Sequence, residues 1–170
     1  MHLKILGLFV AVALIAACET APEGSAGASG AGKTKDTSLT LRHTAKPAAG
    51  SQNDLLVNVG DRVFFDYDKY NVSSQARQIL VKQAAWMKKY PALIFTIEGH
   101  CDERGTREYN LALGERRANA IKDYLATLGI NSSRLKTISY GKERPVALGS
   151  NEQAWSQNRR AVTVVGVAGS

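Results

Sequence analysis

The chain of 170 residues is poor in cysteine, in histidine and in long hydrophobic segments, and each shortage narrows what the protein can be. Its two cysteines, Cys18 and Cys101, can form at most one intrachain disulfide, and none if Cys18 is used otherwise. The chain has no Cys-x-x-Cys pair, and its histidines form no metal-binding pair at helical spacing. We therefore expect no metal ion and no cofactor.

The apolar stretch at the start of the chain is short. Residues 5–17 follow the basic start at Lys4 and have the size of the hydrophobic segment of a signal peptide, which is too short to span a bilayer comfortably. The stretch ends Ile15-Ala16-Ala17-Cys18, and small residues before a cysteine resemble a bacterial lipobox. We predict a lipoprotein signal peptide over residues 1–17 and acylation of Cys18, for example with palmitate. The alternative is an ordinary signal peptide in which Cys18 is incidental.

The charge of the chain is unbalanced. The formal net charge is +7 at pH 7, and Lys4 is the one charged residue within residues 1–17, which leaves +6 for the rest. In a cytosolic protein this excess would favour nucleic acid as a partner. Because the signal peptide predicts export, we expect no nucleic acid and instead an affinity for anionic polymers or surfaces outside the cytoplasm.

Composition divides the rest of the chain into two parts. Residues 18–53 are rich in Ala, Gly, Ser, Thr and Lys and have almost no large apolar side chains, so they cannot bury enough surface to fold alone. We interpret them as a flexible tether that begins at the lipidated Cys18. Residues 54–170 have a globular composition and the length of one compact domain.

Hydrophobic periodicity and helix caps predict alternating strands and helices in this domain. The predicted order is strand 63–67, a helix capped by Asn71 or Ser73 and stopped at Tyr90-Pro91, strand 92–98, a helix from Tyr109 or Asn110 to Gly129, strand 135–140, a loop with one helical turn over 141–157, and strand 160–167. Such an alternation predicts an α+β fold in which helices pack on one face of a mixed four-stranded sheet.

A candidate binding site follows the second predicted strand. The run Gly99-His100-Cys101-Asp102-Glu103-Arg104-Gly105 leads into a helix on which Asn110, Leu113 and Arg117 share one face at spacings i, i+3 and i+7. An Asp, an Asn and an Arg that converge on one mouth can bind a small zwitterion. The Asp takes the ammonium group and the guanidinium takes the carboxylate in a two-pronged contact. The pattern therefore predicts binding rather than catalysis.

The same residues resemble the peptidoglycan-binding signature of the OmpA-like C-terminal domain family. The resemblance rests on Gly99-His100-Cys101-Asp102, Gly105, Asn110, Leu113 and Arg117-Ala118, and on residues 65–70, 139–143 and 158–162. It implies an OmpA-like two-layer sandwich that is not an enzyme and that binds the diaminopimelate-containing stem peptide of peptidoglycan non-covalently. The sequence departs from the family pattern at Cys101, where a small or hydroxyl residue is more common, and at Gly114, where Ser is frequent.

The resemblance also implies a role for each site residue. Asp102 faces the ligand ammonium, Arg117 holds a ligand carboxylate, Asn110 and Leu113 line the same helical face, Arg104 lies in the loop, and Tyr67 and Asp68 close the other wall.

The lipobox and the tether relate the chain to the lipoprotein branch of this family. That branch implies a lipid-anchored protein of the outer membrane with its domain in the periplasm, because the residue after Cys18 is Glu19 and the familiar inner-membrane retention signal has Asp there. The implied partners are peptidoglycan, TolB and other Tol components. The implied role is to tether the outer membrane to the cell wall, with consequences for envelope integrity and cell division.

Several alternatives stay open. Asp102 and Arg117 could pair with each other and only stabilise the turn. The run His100-Cys101-Asp102 could form a nucleophile and base or a metal cluster, although neighbours in an extended chain point to opposite faces. The protein could be an envelope adaptor lipoprotein without direct wall binding, or an amidase or glycosidase acting on peptidoglycan. Finally, we expect one member of each pair, Arg116-Arg117 and Arg159-Arg160, to face solvent.

Overall fold

The computed structural model describes residues 46–166. The predicted signal peptide over residues 1–17, Cys18 and the predicted tether up to residue 45 lie outside the described residues. Within the described part, no helix combines the length and the apolar character needed to cross a membrane.

Within residues 46–166, four strands form one mixed sheet. They are β1 (Arg62–Phe64), β2 (Ile94–His100), β3 (Leu135–Gly141) and β4 (Arg160–Gly166), in the spatial order β1-β4-β2-β3. β2 and β3 run parallel, whereas β4 lies between β1 and β2 and is antiparallel to both. The carboxyl ends of β1, β2 and β3 and the amino end of β4 therefore meet at one edge of the sheet.

In the described part of the chain, four α-helices and a short 3-10 helix connect and flank the strands. They are α1 (Gln52–Asn58), α2 (Ser74–Lys89), α3 (Arg107–Thr127), the 3-10 helix (Ser132–Arg134) and α4 (Glu152–Asn158). α2 and α3 pack on the sheet face to which alternate residues of β2, Phe95 and Ile97, point, and both side chains are fully buried there. On the opposite face Ile138 of β3 is exposed. The predicted α+β fold, with helices on one face of a mixed four-stranded sheet, is confirmed.

Helix α1 lies across the domain boundary that composition placed at residue 54. The hydroxyl of Ser51 caps it by accepting a hydrogen bond from the backbone N–H of Asp54. The Asp54 carboxylate in turn accepts hydrogen bonds from the backbone N–H of Gly50 and from the indole of Trp86, the latter at 3.0 Å. The folded part therefore begins before residue 54. α1 has seven residues and one fully buried apolar side chain, Leu55, so it carries no periodic signal.

Two predicted boundaries shift for local reasons. β1 ends at Phe64 instead of residue 67, because its partner β4 begins at Arg160, which lies opposite Phe64. α3 begins at Arg107 instead of Tyr109 or Asn110, because the Thr106 hydroxyl accepts from the Tyr109 N–H and caps the helix two to three residues earlier.

The other helix ends follow the sequence. Ser73 is the cap of α2, its hydroxyl accepting from the Ala76 N–H, and Tyr90 ends that helix. Gly129, with φ of +86°, terminates α3 in the left-handed conformation that glycine adopts without strain. Local signals thus set where these two helices begin or end. The loop after β1 leads into α2 and the loop after β2 leads into α3, so both loops lie at the edge where these strands end.

Candidate binding site

A pocket of about 130 Å³ lies at the sheet edge where β1 and β2 end. All the residues that the sequence predicted for the site line it: Tyr67, Asp68, Asp102, Arg104, Asn110, Leu113 and Arg117. Cys101, Gly105 and Tyr109 line it as well. Pockets for drug-sized ligands measure about 300–1,000 Å³, so this one has room for the end of a side chain and not for a whole peptide.

Asp102 is buried between two guanidinium groups. Arg104 binds it in a two-pronged contact, with Nη2 2.6 Å from Oδ2 and Nε 3.1 Å from Oδ1, and the backbone N–H of Arg104 also donates to Oδ1. Nη1 of Arg159 lies 3.4 Å from Oδ2. Burial by itself raises the pKa of Asp102, but the hydrogen bonds and charge of Arg104 and the contact with Arg159 outweigh it and lower the pKa. The carboxylate is therefore ionised at neutral pH.

Arg104 is the surface partner of Asp102. Its side chain is 30% exposed, and its guanidinium lies between two aromatic rings, 4.0 Å from the ring centroid of Tyr67 and 4.1 Å from that of Trp155. The indole N–H of Trp155 donates to Glu103, next to Arg104 in the loop. Arg104 thus covers Asp102 at the mouth of the pocket.

Arg117 is fully buried at 0% exposure, and backbone groups of the pocket wall hold it. Its guanidinium donates to three backbone carbonyls, those of Lys69 at 2.8 Å, His100 at 2.8 Å and Asp66 at 3.1 Å. Nη1 also lies 3.5 Å from the Cys101 sulfur. Burial lowers the pKa of Arg117, and within residues 46–166 no carboxylate lies within ion-pair distance of it. The alternative that Asp102 and Arg117 pair with each other is therefore wrong.

Asn110 holds the loop that forms one rim of the pocket. Its side-chain amide donates to the backbone carbonyls of Arg104 at 2.7 Å and Thr106 at 3.0 Å. These two bonds use both of its N–H groups, so the side-chain oxygen is the atom it offers to a ligand. Leu113, one turn further along α3, is buried and supplies an apolar wall.

The opposite rim is formed by Tyr67, Asp68 and Tyr109. Asp68 adopts a φ of +55°, which is uncommon for a residue with a side chain, and it accepts a hydrogen bond from the Tyr109 hydroxyl. Tyr67 and Tyr109 are both largely exposed. The turn after β1 is thereby connected to the first turn of α3 across the mouth of the pocket.

Sequence reasoning missed Arg159 as a residue of this site. Arg159 and Arg160 are both buried, so the expectation that one of them faces solvent is wrong, whereas Arg116 next to the buried Arg117 is exposed as expected. Besides Asp102, Arg159 donates to the Phe65 carbonyl at 3.1 Å and pairs with Glu152. Arg159 lies in the run 158–162, which resembles the family pattern and could have pointed to it. Its contact with Asp102 was not predictable from local patterns, because the two residues are far apart along the chain.

The neighbouring His100 and Cys101 do not form a catalytic pair. The Cys101 thiol donates to the Asn110 carbonyl at 3.3 Å, and burial raises its pKa to about 11. The His100 ring does not line the pocket and lies 5.5 Å from the Tyr140 ring, centroid to centroid. In the part of the chain that the structure describes, no group of three or more His, Cys, Asp or Glu side chains is arranged to hold a metal ion.

The fold and the pocket define the class of protein. The chain belongs to the OmpA family, whose model matches residues 64–159, and this family is non-enzymatic.

Within the family, the chain is similar to proteins of one name. It is 57% identical over 131 residues to the peptidoglycan-associated lipoprotein of Agrobacterium fabrum, covering 77% of this chain and 74% of that one. It is 60% identical over 121 residues to the peptidoglycan-associated lipoprotein of Rhizobium meliloti, covering 71% and 69%. The crystal structure of the peptidoglycan-associated lipoprotein from Burkholderia pseudomallei matches with a TM-score of 0.61 and 45% identity, over 62% of this chain and 90% of that one.

Proposed function

We propose that this protein is a lipid-anchored outer-membrane protein that binds the stem peptide of peptidoglycan non-covalently through the pocket around Asp102 and Arg117. The names of its relatives, peptidoglycan-associated lipoproteins, support wall binding. The chemistry of the pocket supports the diaminopimelate residue as the recognised group, because its side chain ends in an amino-acid zwitterion.

The buried cation of Arg117 carries this proposal. Removing a guanidinium from water without a counter-ion is costly, and three backbone carbonyls supply hydrogen bonds but no charge. A ligand carboxylate that enters the pocket supplies the missing negative charge. Because the guanidinium already donates to three carbonyls, we expect it to act mainly through its positive charge rather than through a two-pronged bond.

Asp102 is the partner for the ligand ammonium. Its two cationic partners differ, since Arg159 is buried whereas Arg104 is partly exposed at the mouth. An entering ammonium therefore competes with Arg104 for Asp102, and the displaced guanidinium, being partly exposed, can contact a second anionic group of the stem peptide. Asn110, Leu113, Tyr67 and Asp68 complete the walls.

At the level of the cell, we propose that Cys18 carries the lipid, that residues following it tether the domain, and that the protein links the outer membrane to the wall as part of the Tol-Pal system. The support is the lipobox, the Glu19 that follows Cys18, and the resemblance to the lipoprotein branch of the family. TolB and other Tol components are the proposed protein partners, with a role in envelope integrity and cell division.

The test is a calorimetric titration of the unlipidated chain from Glu19 onward with a diaminopimelate-containing stem peptide and with its lysine-containing analogue. We expect binding of the first alone, because a lysine side chain lacks the carboxylate that Arg117 requires. Asp102→Asn keeps the shape of the side chain and removes its charge, and we expect it to weaken binding at least about tenfold, the equivalent of roughly 1.4 kcal/mol.

The matched control is Asp123→Asn on the exposed face of α3, which we expect to bind normally. Equal binding of both peptides would overturn the zwitterion mechanism. Failure of a folded chain to bind either peptide would favour the adaptor alternative, in which the lipoprotein contacts other envelope proteins and not the wall.

A further inference from the structure

A second, larger groove lies beside the pocket around Asp102 and Arg117, which we call the stem-peptide pocket. It has a volume of about 410 Å³ and lies between the loop that follows β1 and helix α4. The side chains that decide its chemistry are Phe64, Asn71, Ser73, Gln75, Ser156 and Gln157. We call it the amide groove.

The amide groove offers neutral hydrogen-bonding groups. Asn71, Gln75 and Gln157 are exposed, and each carries both a carbonyl acceptor and an NH₂ donor. Ser73 and Ser156 add hydroxyl groups that are partly used within the protein. The Ser73 hydroxyl accepts from the Ala76 N–H and keeps its own proton to donate, whereas the Ser156 hydroxyl donates to the Gln153 carbonyl and can still accept. A ligand that matches this set has many hydroxyl and amide groups and no need of a counter-ion.

The two charged residues of the amide groove already have partners. Asp66 lies 3.3 Å from the ammonium of Lys69. Arg159 is buried and donates to Asp102, Glu152 and the Phe65 carbonyl. The Asp66–Lys69 pair is exposed and weak, whereas the charge of Arg159 is balanced by Asp102 and Glu152 inside the protein. The other polar side chains of the groove are neutral, so they favour an uncharged polar ligand.

Phe64 adds a flat apolar surface to these polar groups. Phe64 is 48% exposed at the end of β1, so part of its ring is available to a ligand. Sugar rings have an apolar face of C–H groups and an edge of hydroxyl groups. An aromatic ring next to amide and hydroxyl side chains matches both features of such a ring.

The amide groove and the stem-peptide pocket share one wall, formed by residues 65–67. The Asp66 carbonyl accepts from Arg117 on the pocket side, while the Asp66 side chain lines the groove. Arg159 lines the groove and contacts Asp102 of the pocket at 3.4 Å. The two sites are therefore adjacent, and one extended molecule can occupy both.

We propose that the amide groove binds the N-acetylated amino sugars of the glycan strand to which the stem peptide is attached. This inference rests on the proposed function of the stem-peptide pocket and extends it. The zwitterionic end of the peptide enters the pocket, and the sugars lie across the wall on Phe64, with their acetamido and hydroxyl groups hydrogen-bonded to the side chains of α2 and α4 that line the groove.

The experiment compares two ligands with the unlipidated chain from Glu19 onward: the free diaminopimelate stem peptide and the same peptide attached to its disaccharide. We expect the disaccharide to improve affinity about fivefold to tenfold, in keeping with one aromatic contact and a few hydrogen bonds. Phe64→Ala and Gln157→Ala should each reduce that advantage and leave the affinity for the free peptide unchanged.

The chain offers matched controls on the same helices. Gln153→Ala on α4 and Gln78→Ala on α2 remove exposed glutamines that do not line the amide groove, and both should retain the full advantage of the disaccharide. Thermal unfolding of each variant confirms that the domain is intact. Equal affinity of wild type for the two ligands would overturn the proposal.

A second measurement separates this proposal from the proposed function. Titration with N-acetylglucosamine tetramer, which has no peptide, should shift the NMR signals of Gln75 and Gln157 and leave those of Asn110 unchanged, whether or not the stem peptide binds. Absence of these shifts would overturn the glycan site even if the peptide binds the pocket. If the Gln157→Ala variant kept glycan binding and lost binding of a protein partner, the groove would be a protein-contact site and the proposal would be overturned.

Discussion

Gly99 of β2 and Gly114 of α3 face each other with no room for a side chain on either. A Cβ placed on Gly99 would lie 1.8 Å from the carbonyl oxygen of Gly114, far inside van der Waals contact. A Cβ placed on Gly114 would lie 2.3 Å from the hydroxyl oxygen of Ser139 and 3.0 Å from the Gly99 carbonyl oxygen. This close approach brings the face of α3 that carries Leu113 and Arg117 against the end of β2, and so it positions the binding pocket.

The first prediction follows from this contact. Gly99→Ala should lower the free energy of unfolding by about 3 kcal/mol or more, because the added methyl group meets backbone that cannot move aside without displacing α3. Gly114→Ala should cost less, because its nearest obstacle is the side chain of Ser139. Urea unfolding monitored by circular dichroism measures both.

Gly166→Ala is the control for the same change in β4. A Cβ there would lie 3.2 Å from a side-chain carbon of Ile94, which can adjust, so we expect a small effect. If Gly99→Ala proved as stable as Gly166→Ala, the close packing of β2 against α3 described above would be wrong.

The second prediction concerns Arg117. Because three buried carbonyls depend on its guanidinium, Arg117→Met should lower the free energy of unfolding by about 3 kcal/mol as well as weaken ligand binding. The neighbouring Arg116→Met, at an exposed position, should change stability by less than about 0.5 kcal/mol. An Arg117→Met variant with wild-type stability and no binding would show that Arg117 contributes to ligand binding and not to the stability of the fold.

The third prediction is a loss of stability in mild acid through His100. Its ring is 2% exposed, and neither ring nitrogen has a hydrogen-bond partner among the described residues. The groups that face it are Glu98, 3.6 Å from Nε2, the ring of Tyr140, and the positive charges of Arg144 and Arg160. Burial, assisted by the two arginines, lowers the pKa of His100 from 6.5 to about 4.

The pKa of His100 is lower in the folded state than in the unfolded state, so the unfolded state binds a proton more readily. The free energy of unfolding is therefore unaffected by protonation of His100 above pH 6.5 and decreases as the pH falls from 6.5 toward 4. Between pH 7.5 and pH 5 this corresponds to a loss of about 2 kcal/mol. Urea unfolding at both pH values tests it, with His100→Asn as the comparison. The variant should lose much less stability over this interval, and an equal loss in both proteins would assign the acid sensitivity to other groups.

The fourth prediction is that Cys101 is unreactive in the folded protein. Its buried thiol has a raised pKa of about 11, and the thiolate is the form that attacks alkylating reagents. In a chain that starts at Glu19, Cys101 is the only cysteine, so mass spectrometry after iodoacetamide treatment reports on it alone. We expect rapid alkylation in urea and very slow alkylation without it. Rapid alkylation of the folded chain would contradict the burial described here.

Much of the fold was readable from local sequence signals. Hydrophobic periodicity and the caps at Ser73 and Gly129 act over a few residues, so they indicate the order of strands and helices without knowledge of the rest of the chain. The spacing of Asn110, Leu113 and Arg117 predicted that they share one helical face, and the structure places all three in the same pocket.

What the side chains do in that pocket was decided by tertiary structure. Asp102 lies between Arg104 and Arg159, and the second of these partners is 57 positions away along the chain. Arg117 is held by carbonyls from the loop after β1 and from the end of β2, which only the packing of α3 brings within reach. Periodicity and capping report on neighbours in sequence, whereas burial, charge partners and the close approach of Gly99 to Gly114 depend on how the layers pack, and no local pattern encodes that.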